Sequence, residues 1–278
     1  MVNHKHKIIY TAIPKTGTTS LVRTEPLNVI FDNSFFQLGD GCQKEKHQTL
    51  LQDIEEIKNI YRLTESDNAD LSHILKHKYY SFTVVRNPLY RLVSEFLYRF
   101  QRRHNVKMVE SYSLESIKNV FSIYVNFLYD LYKSNPEWFY PLNSNFKGKE
   151  NIRSHPNILK YSMPYTLPSV IPQDNKEYKI NELMHIRYHL CSQSTFVDSG
   201  IIKHNYNHIG RVEDLQSTWY ELCRHILGER SLKNNSLPKL NSSVVQKNYL
   251  DFYSSSDKQI VKEIYYKDFK NFNYNLDE

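Results

Sequence analysis

Two short apolar segments, each followed at once by polar residues and then by a helix start, most restrict the folds open to this chain of 278 residues. The first, residues 7–13 (KIIYTAI), ends at Pro14, and the second, residues 79–86 (YYSFTVVR), ends before Asn87 and Pro88. Apolar runs of this length are typical of strands buried on both faces of a sheet. Because Asn is a good N-cap and Pro is favoured in the first helical turn, the second segment is predicted to lead directly into a helix.

Helical periodicity is strongest after Pro88. Apolar residues there recur with the spacing of one helix face, at Leu89, Leu92, Val93, Phe96, Leu97 and Phe100. Similar patterns predict helices at residues 47–60, 113–132, 179–191, 212–227 and 257–270, and a third inner strand is predicted at 204–210. Strands alternating with helices, without internal repeats, indicate an α/β fold in which helices flank a parallel central sheet. We expect one domain over residues 1–278, with an irregular, proline-rich insertion at 133–177.

The composition argues against a disordered, a disulfide-rich and a membrane-spanning protein. The chain has 22 Tyr and 14 Phe, which argues against disorder. Its net charge of +6 suits an anionic ligand, although it is also an ordinary charge for a soluble protein. The three cysteines include no CxxC pair, which argues against a disulfide framework and a cysteine zinc site. With no apolar segment of membrane length, a cytoplasmic protein is expected.

The first candidate binding element is the polar loop after the first strand, residues 14–20 (PKTGTTS). A loop between a strand end and a helix start directs backbone N–H groups at one point, where the helix dipole also favours negative charge. Gly17 allows a close approach of the backbone to a ligand, and Lys15 adds a positive charge. The pattern differs from the nucleoside-triphosphate signature, because the lysine precedes the glycine and the first glycine is absent. No threonine follows a lysine in the position needed to hold magnesium.

The second candidate element is VVRNPLYRLVS, residues 84–94. Arg86 ends the second strand, where open parallel sheets bind their ligands, and Ser94 lies on the following helix. A guanidinium and a hydroxyl in these positions could hold a phosphate monoester. A surface Arg beside a solvated Ser is the alternative.

Together the two motifs resemble those of the sulfotransferases that use 3′-phosphoadenosine 5′-phosphosulfate (PAPS), in particular the carbohydrate branch (Golgi-type, like the heparan 2-O enzymes) and its bacterial relatives. The segments GRVEDL at 210–215 and LNSS at 240–243, with the closing residues 261–274, are similar to later parts of that branch. The resemblance covers about residues 7–274, except for 133–177. It implies a P-loop-like architecture with PAPS as donor, 3′-phosphoadenosine 5′-phosphate (PAP) as product and no metal. The implied donor-binding residues are Lys15, Thr16, Gly17, Thr18, Thr19 and Ser20 for the 5′-phosphosulfate, and Arg86 and Ser94 for the 3′-phosphate.

The resemblance also implies a catalytic pair. Lys15 is expected to stabilise the leaving phosphate. His47, in a segment similar to the Lys-His-x-x-Leu element of the family, is expected to act as the base that deprotonates the acceptor. Glu45 and Asp40 remain alternative bases, since some relatives use a carboxylate.

The acceptor is left open by the sequence. The resemblance favours a sugar hydroxyl on a glycan, and a hydroxyl or amine of a small soluble metabolite is the alternative. The insertion at 133–177 is a candidate cover for the acceptor, with Trp138, Tyr140 and Tyr165 available to stack on it. His185 and His189, one helical turn apart, could line the acceptor pocket or bind a metal.

Other functional classes remain as alternatives. A nucleotide-dependent kinase would share a phosphate loop, and a non-catalytic protein would bind a sulfated glycan or nucleic acid through its basic surface. We expect neither nucleic acid nor a membrane as partner, and the oligomeric state is not indicated.

Overall fold

The computed structural model describes residues 2–3, 6–25, 27, 75, 77–104, 113–140, 187–199, 205–228, 237 and 248–276. Internal contacts divide the chain into two compact units. The first unit consists of Met1–Val85 with Phe196–Asn241, and the second of Arg86–Thr195 with Ser242–Glu278.

The first unit contains a sheet of strands β1 Val2–Asn3, β2 Ile8–Thr11, β3 Tyr80–Val85 and β4 His208–Arg211, in that order. β1 is antiparallel to β2, whereas β2, β3 and β4 are parallel to one another. The predicted α/β fold with a parallel sheet is therefore confirmed. The third predicted strand is present but begins later, at His208, and β1 is too short for any periodicity to reveal it.

The helices flank this sheet or build the second unit. In chain order they are α1 Thr18–Val22, α2 Pro88–His104, α3 Leu114–Ser134, α4 Gln193–Ser199, α5 Leu215–Leu227, α6 Ser255–Ile264 and α7 Tyr266–Asn271. Short 3₁₀ turns lie at Pro136–Trp138, Val212–Asp214 and Tyr249–Phe252. The helix predicted at 47–60 lies outside the described residues. Of the helix predicted at 179–191, only residues 187–191 are described, and 187–190 are helical.

The core of the first unit lies between one face of the sheet and helices α1 and α5. Its side chains include Tyr10 and Phe82, whose rings stack with centroids 4.5 Å apart, and the fully buried Trp219 of α5. A Cβ atom on Gly210 would lie 2.3 Å from Thr218 Cγ2, so the absence of a side chain at this position in β4 allows α5 to pack closely against the sheet.

The second unit has its own core, formed by α2, α3, α6 and α7. The Asn87 side-chain oxygen accepts a hydrogen bond from the Leu89 N–H at 2.9 Å, which confirms the predicted N-cap of α2. Every residue of the predicted apolar stripe on α2, from Leu89 to Phe100, is buried. At the other end of the chain, Ser254 caps α6 in a capping box with Asp257.

The last predicted helix, 257–270, is broken in two at Tyr265, whose backbone leaves helical geometry at φ −109° and ψ 24°. The Tyr265 hydroxyl donates to the Leu190 carbonyl at 2.9 Å, and Asp268 of α7 accepts hydrogen bonds from residues 192–194. Both halves of the broken helix thus reach one buried segment, residues 190–194. Periodicity does not report such a break, because the apolar pattern continues through it.

The irregular stretch predicted at 133–177 starts later than expected, since α3 continues to Ser134 and the turn Pro136–Trp138 follows. The prediction that Trp138 stacks on an acceptor is wrong. Its side chain is 2 % exposed and packs against Phe139 in the core. Tyr140 is half-buried and donates its hydroxyl to the Ile264 carbonyl, whereas Tyr165 lies outside the described residues.

Candidate functional site

The loop after β2 has an unusual backbone. Lys15 has φ 67° and Gly17 has φ 75°, both in the left-handed region, whereas Thr16 between them does not have a positive φ. Alternation of this kind turns successive N–H groups toward one side, which is how backbone concavities bind anions. Gly17 is also the N-cap of α1, so the first N–H groups of that helix follow directly. The loop has the geometry of an anion-binding element.

Two threonine hydroxyls hold this loop onto the end of β2. Thr16, which is fully buried, donates its hydroxyl to the Ile13 carbonyl at 2.8 Å, and Thr18 donates to the same carbonyl at 3.2 Å. The Tyr10 hydroxyl in turn donates to Thr18 Oγ1 at 3.0 Å. Both threonines were predicted to bind the donor directly. Their hydroxyl hydrogens here bind the protein, and their contact with a donor remains a prediction.

Gly17 is required for a second reason. A Cβ atom at this position would lie 2.9 Å from Leu215 Cδ2, at the start of α5. The loop therefore packs against α5 on one side, within the first unit. Thr19 is half-buried and Ser20 is buried at 7 % exposure, with its carbonyl accepting from the Thr24 hydroxyl at 2.7 Å.

The parallel strands direct their carboxyl ends to one edge of the sheet. Thr11 of β2 pairs with Thr83 of β3, and Val85 at the end of β3 pairs with Arg211 at the end of β4. The polar loop follows β2, and Arg86 is the residue after β3. Arg211, the last residue of β4, is exposed.

In the second unit, one side chain holds the backbone of Arg86. The Arg86 N–H donates to Gln193 Oε1 at 2.8 Å, and Gln193 Nε2 donates to the Arg86 carbonyl at 2.7 Å. The Arg86 guanidinium carbon lies 5.2 Å from the centroid of the Tyr249 ring, a cation–π contact. Neither Gln193 nor Tyr249 was predicted, because both are far from Arg86 in sequence and match no motif.

Helix α2 carries Ser94, which is half-buried, and Arg91, which is buried. Arg91 donates to the carbonyls of Cys191 at 2.9 Å and His189 at 2.8 Å, so its guanidinium stabilises the end of the helical segment 187–190. The prediction that Arg86 and Ser94 hold a phosphate is consistent with the half-buried state of both residues. The phosphate contact itself stays a prediction.

A sequence model described as the sulfotransferase family matches residues 1–275. The chain belongs to the sulfotransferase family. It is therefore a transferase enzyme, and sulfuryl transfer is its general reaction. No curated protein and no solved structure matches the chain significantly. Membership of this family counts against the nucleotide-dependent kinase, which was one of the less favoured alternatives.

The residues predicted to catalyse the reaction of this sulfotransferase fall partly outside the described residues. Lys15 is described in the loop above, whereas His47 and the alternative bases Glu45 and Asp40 are not described. Their assignments remain predictions.

The histidine pair of the sulfotransferase is likewise described only in part, since His185 is not included. His189 Nδ1 lies 2.7 Å from Glu95 Oε2, and the same carboxylate binds Arg99, which is one turn further along α2. Glu95 is fully buried, and the Arg99 guanidinium offsets its charge. Within the described ranges, no three His, Cys, Asp or Glu side chains are grouped closely enough to bind a metal ion.

None of the described helices of this sulfotransferase is long and apolar enough to span a bilayer.

Cys191 and Cys223 are both buried free thiols. Burial raises the pKa of the Cys191 thiol to about 12 and that of the Cys223 thiol to about 11. Cysteine nucleophiles need a lowered pKa, so these two thiols are unsuited to nucleophilic catalysis.

Proposed function

We propose that this sulfotransferase moves the sulfuryl group of PAPS to a hydroxyl or amine of its acceptor and releases PAP. A carbohydrate is the acceptor class that we favour, because of the resemblance of both donor motifs to the carbohydrate branch. A small soluble metabolite is the second candidate.

The observation that carries this proposal is the arrangement of the parallel sheet. β2 and β3 are neighbours and end at the same edge, one followed by the loop of Lys15 and Gly17 and the other by Arg86. We propose that the loop, residues 15–20, binds the 5′-phosphosulfate through its N–H groups and Lys15. Arg86 and Ser94 are proposed to bind the 3′-phosphate.

The proposed chemistry requires little from the protein beyond position and charge. The acceptor oxygen or nitrogen attacks sulfur in line as the bond between sulfur and the bridging phosphate oxygen breaks, and negative charge grows on that phosphate. Lys15 is proposed to stabilise this charge. His47 is proposed to take the proton of the acceptor, since an imidazole with an ordinary pKa near 6.5 is a ready base at neutral pH.

Titration calorimetry of the wild-type protein with PAP tests the donor assignment. We expect binding to PAP and clearly weaker binding to adenosine 5′-phosphate, which lacks the 3′-phosphate. Absence of PAP binding would overturn the proposal. To decide between the acceptor classes, the enzyme is incubated with PAPS and with separate glycan and metabolite panels. Mass spectrometry then shows which compounds gain one SO₃ group.

The base is tested by His47→Ala. We expect this variant to lose turnover, by a factor of roughly 10²–10⁴, and to keep its affinity for PAP, because the imidazole acts on the acceptor. His6→Ala, at an exposed histidine, is the matched control and should leave both quantities unchanged. Full turnover by His47→Ala would instead point to Glu45 or Asp40 as the base. Absence of turnover in the wild type as well would point to a non-catalytic protein.

A further inference from the structure

The backbone of Arg86 is held on both sides by a single side chain outside the two donor motifs. The Gln193 amide accepts from the Arg86 N–H at 2.8 Å and donates to the Arg86 carbonyl at 2.7 Å. Gln193 is fully buried, so solvent does not compete for these bonds. One amide thus restrains the two peptide groups that flank the Arg86 Cα atom.

Arg86 needs this support because of its place in the chain. Val85, the residue before it, is the last residue of β3, and Asn87, the residue after it, is the N-cap of α2. At this junction between a strand end and a helix cap, the Gln193 amide supplies one hydrogen bond to each backbone polar group of Arg86. Loss of a partner by a buried backbone group is costly.

Gln193 is itself fixed by Asp268 of α7. The Asp268 carboxylate accepts from the Gln193 N–H at 2.8 Å, from the Ser194 N–H at 2.8 Å and from the Ser192 hydroxyl. Asp268, Ser192 and Gln193 have no exposed surface. A carboxylate that accepts three buried hydrogen bonds is held firmly, and it holds the start of α4 with it.

The side chain of Arg86 has a second restraint. Its guanidinium carbon lies over the Tyr249 ring at 5.2 Å, and Tyr249 begins the turn Tyr249–Phe252. Later in the same stretch, the Tyr253 hydroxyl donates to the Leu89 carbonyl at 2.7 Å, which fastens it to the first turn of α2. The backbone and the guanidinium of Arg86 are therefore oriented by different parts of the second unit.

We propose that Gln193 is a positioning residue for recognition of the 3′-phosphate, acting through Arg86 and supported by Asp268. This inference rests on the proposed function, in which Arg86 binds that phosphate. A guanidinium binds phosphate through directed hydrogen bonds, so a small shift of its backbone weakens the contact. Gln193 does not touch the donor in this proposal. It fixes the position of the Arg86 backbone, from which the guanidinium extends.

The test compares Gln193→Met, which keeps the length of the side chain but removes both amide bonds, with wild type in calorimetric titrations of PAP and adenosine 5′-phosphate. We expect the affinity of Gln193→Met for PAP to fall roughly tenfold, as for the loss of one or two hydrogen bonds. Affinity for adenosine 5′-phosphate should not change. In a double-mutant cycle, adding Gln193→Met to Arg86→Ala should cause no further loss of PAP affinity.

Asn271→Ala is the matched control, because Asn271 donates to Ser194 Oγ at 3.1 Å, at the residue next to Gln193. It should bind PAP like wild type. Should Gln193→Met fail to fold, as judged by circular dichroism, Gln193→Glu is the second variant. It keeps the acceptor for the Arg86 N–H, loses the donor to the Arg86 carbonyl, and enters the same cycle with Arg86→Ala.

The outcomes separate this inference from the proposed function. If wild type does not bind PAP, both are overturned. If wild type binds PAP and the folded Gln193 variant binds it equally well, or loses affinity for both nucleotides alike, Gln193 has no specific part in 3′-phosphate recognition. Additive losses in the cycle with Arg86→Ala would also overturn the inference.

Discussion

At the scale of single residues, the loop after β2 holds a residue proposed for catalysis, Lys15, in an unfavourable backbone conformation. Lys15 carries a side chain at φ 67°, in the left-handed region that costs a residue with a Cβ atom about 1–2 kcal/mol. The hydrogen bonds of Thr16 and Thr18 to the Ile13 carbonyl hold the loop in this form. Strain retained in this way is common at functional sites, and here it lies at the residue proposed to stabilise the leaving group.

Replacing Lys15 by Ala removes the amine and keeps the Cβ atom, so the backbone strain stays the same. We expect kcat with PAPS to fall roughly 10²–10³-fold, with little change in melting temperature, because one preorganised charge at the leaving phosphate is lost. Lys7→Ala is the matched control, since Lys7 is exposed and also has a positive φ, 55°. Steady-state kinetics on both variants checks this, and an unchanged kcat for Lys15→Ala would contradict it.

Gly17→Ala should destabilise the fold and weaken PAP binding. A Cβ atom here meets both a positive φ of 75° and Leu215 Cδ2 at 2.9 Å. Gly228→Ala is the control, because Gly228 has φ 76° and, apart from its chain neighbours, no atom of the described residues lies within 4 Å of the added Cβ. Thermal denaturation should show a loss of about 1–2 kcal/mol for Gly228→Ala and a larger loss for Gly17→Ala. Equal losses, together with equal PAP affinities in calorimetry, would show that the loop accommodates the methyl group.

At the scale of elements, the packing of α5 on β4 depends on a missing side chain. Strand pairing sets the position of β4, and Gly210 leaves space for Thr218, which is 3 % exposed. The segment of Val212–Asp214 between strand and helix allows α5 to return along the sheet. Leu215, the first residue of α5, then reaches Gly17, so this contact between strand and helix also affects the loop.

We expect Gly210→Ala to be destabilising, because the added Cβ would lie 2.3 Å from Thr218 Cγ2 and 2.4 Å from its Oγ1. Overpacking of this kind costs about 1–3 kcal/mol. Adding Thr218→Ala removes those two atoms and should restore part of the loss, whereas Thr218→Ala alone should be mildly destabilising. Chemical denaturation of the three variants measures the coupling, and strict additivity would contradict the steric explanation.

At the scale of the whole molecule, the chain has two compact units, each with a separate aromatic core. The first contains the loop of residues 14–20 and the sheet that positions it. The second contains Arg86 with the side chains that hold it. Burial also shifts the pKa values of His208, His225, Cys191 and Cys223, so the stability of the fold depends on pH.

Stability should decline on acidification, and His208 is one source of the decline. Burial lowers the pKa of His208 in the folded state, against a partly opposing effect of Glu221. As the pH falls below about 6.5, the unfolded chain takes up a proton at this position before the folded chain does. The contribution of neutral His208 is therefore present above that pH and is lost as the pH falls toward the folded pKa.

His208→Gln, which does not titrate, should make the free energy of unfolding less dependent on pH between about pH 7.5 and 5.5. Urea denaturation at both pH values measures the difference. Burial lowers the pKa of His225 as well, so some dependence should remain in the variant. A pH dependence equal to that of wild type would show that His208 does not contribute.

Local patterns in the sequence were sufficient for the strands β2 and β3, the starts of α1 and α2, and the family of the enzyme. In each case the deciding residues are neighbours in the chain, as with the N-cap Asn87 before Pro88. Turn chemistry and helix capping act over a few residues, so the sequence records them directly.

Tertiary structure alone decided which distant residues contact Arg86 and Gln193. Gln193 lies 107 positions from Arg86, Tyr249 is farther still, and Asp268 is 75 positions from Gln193. Likewise, Trp138 looks available for stacking in the sequence but is buried in the core. Hydrogen bonds and burial between distant segments depend on how helices pack, and no spacing within the chain records that packing.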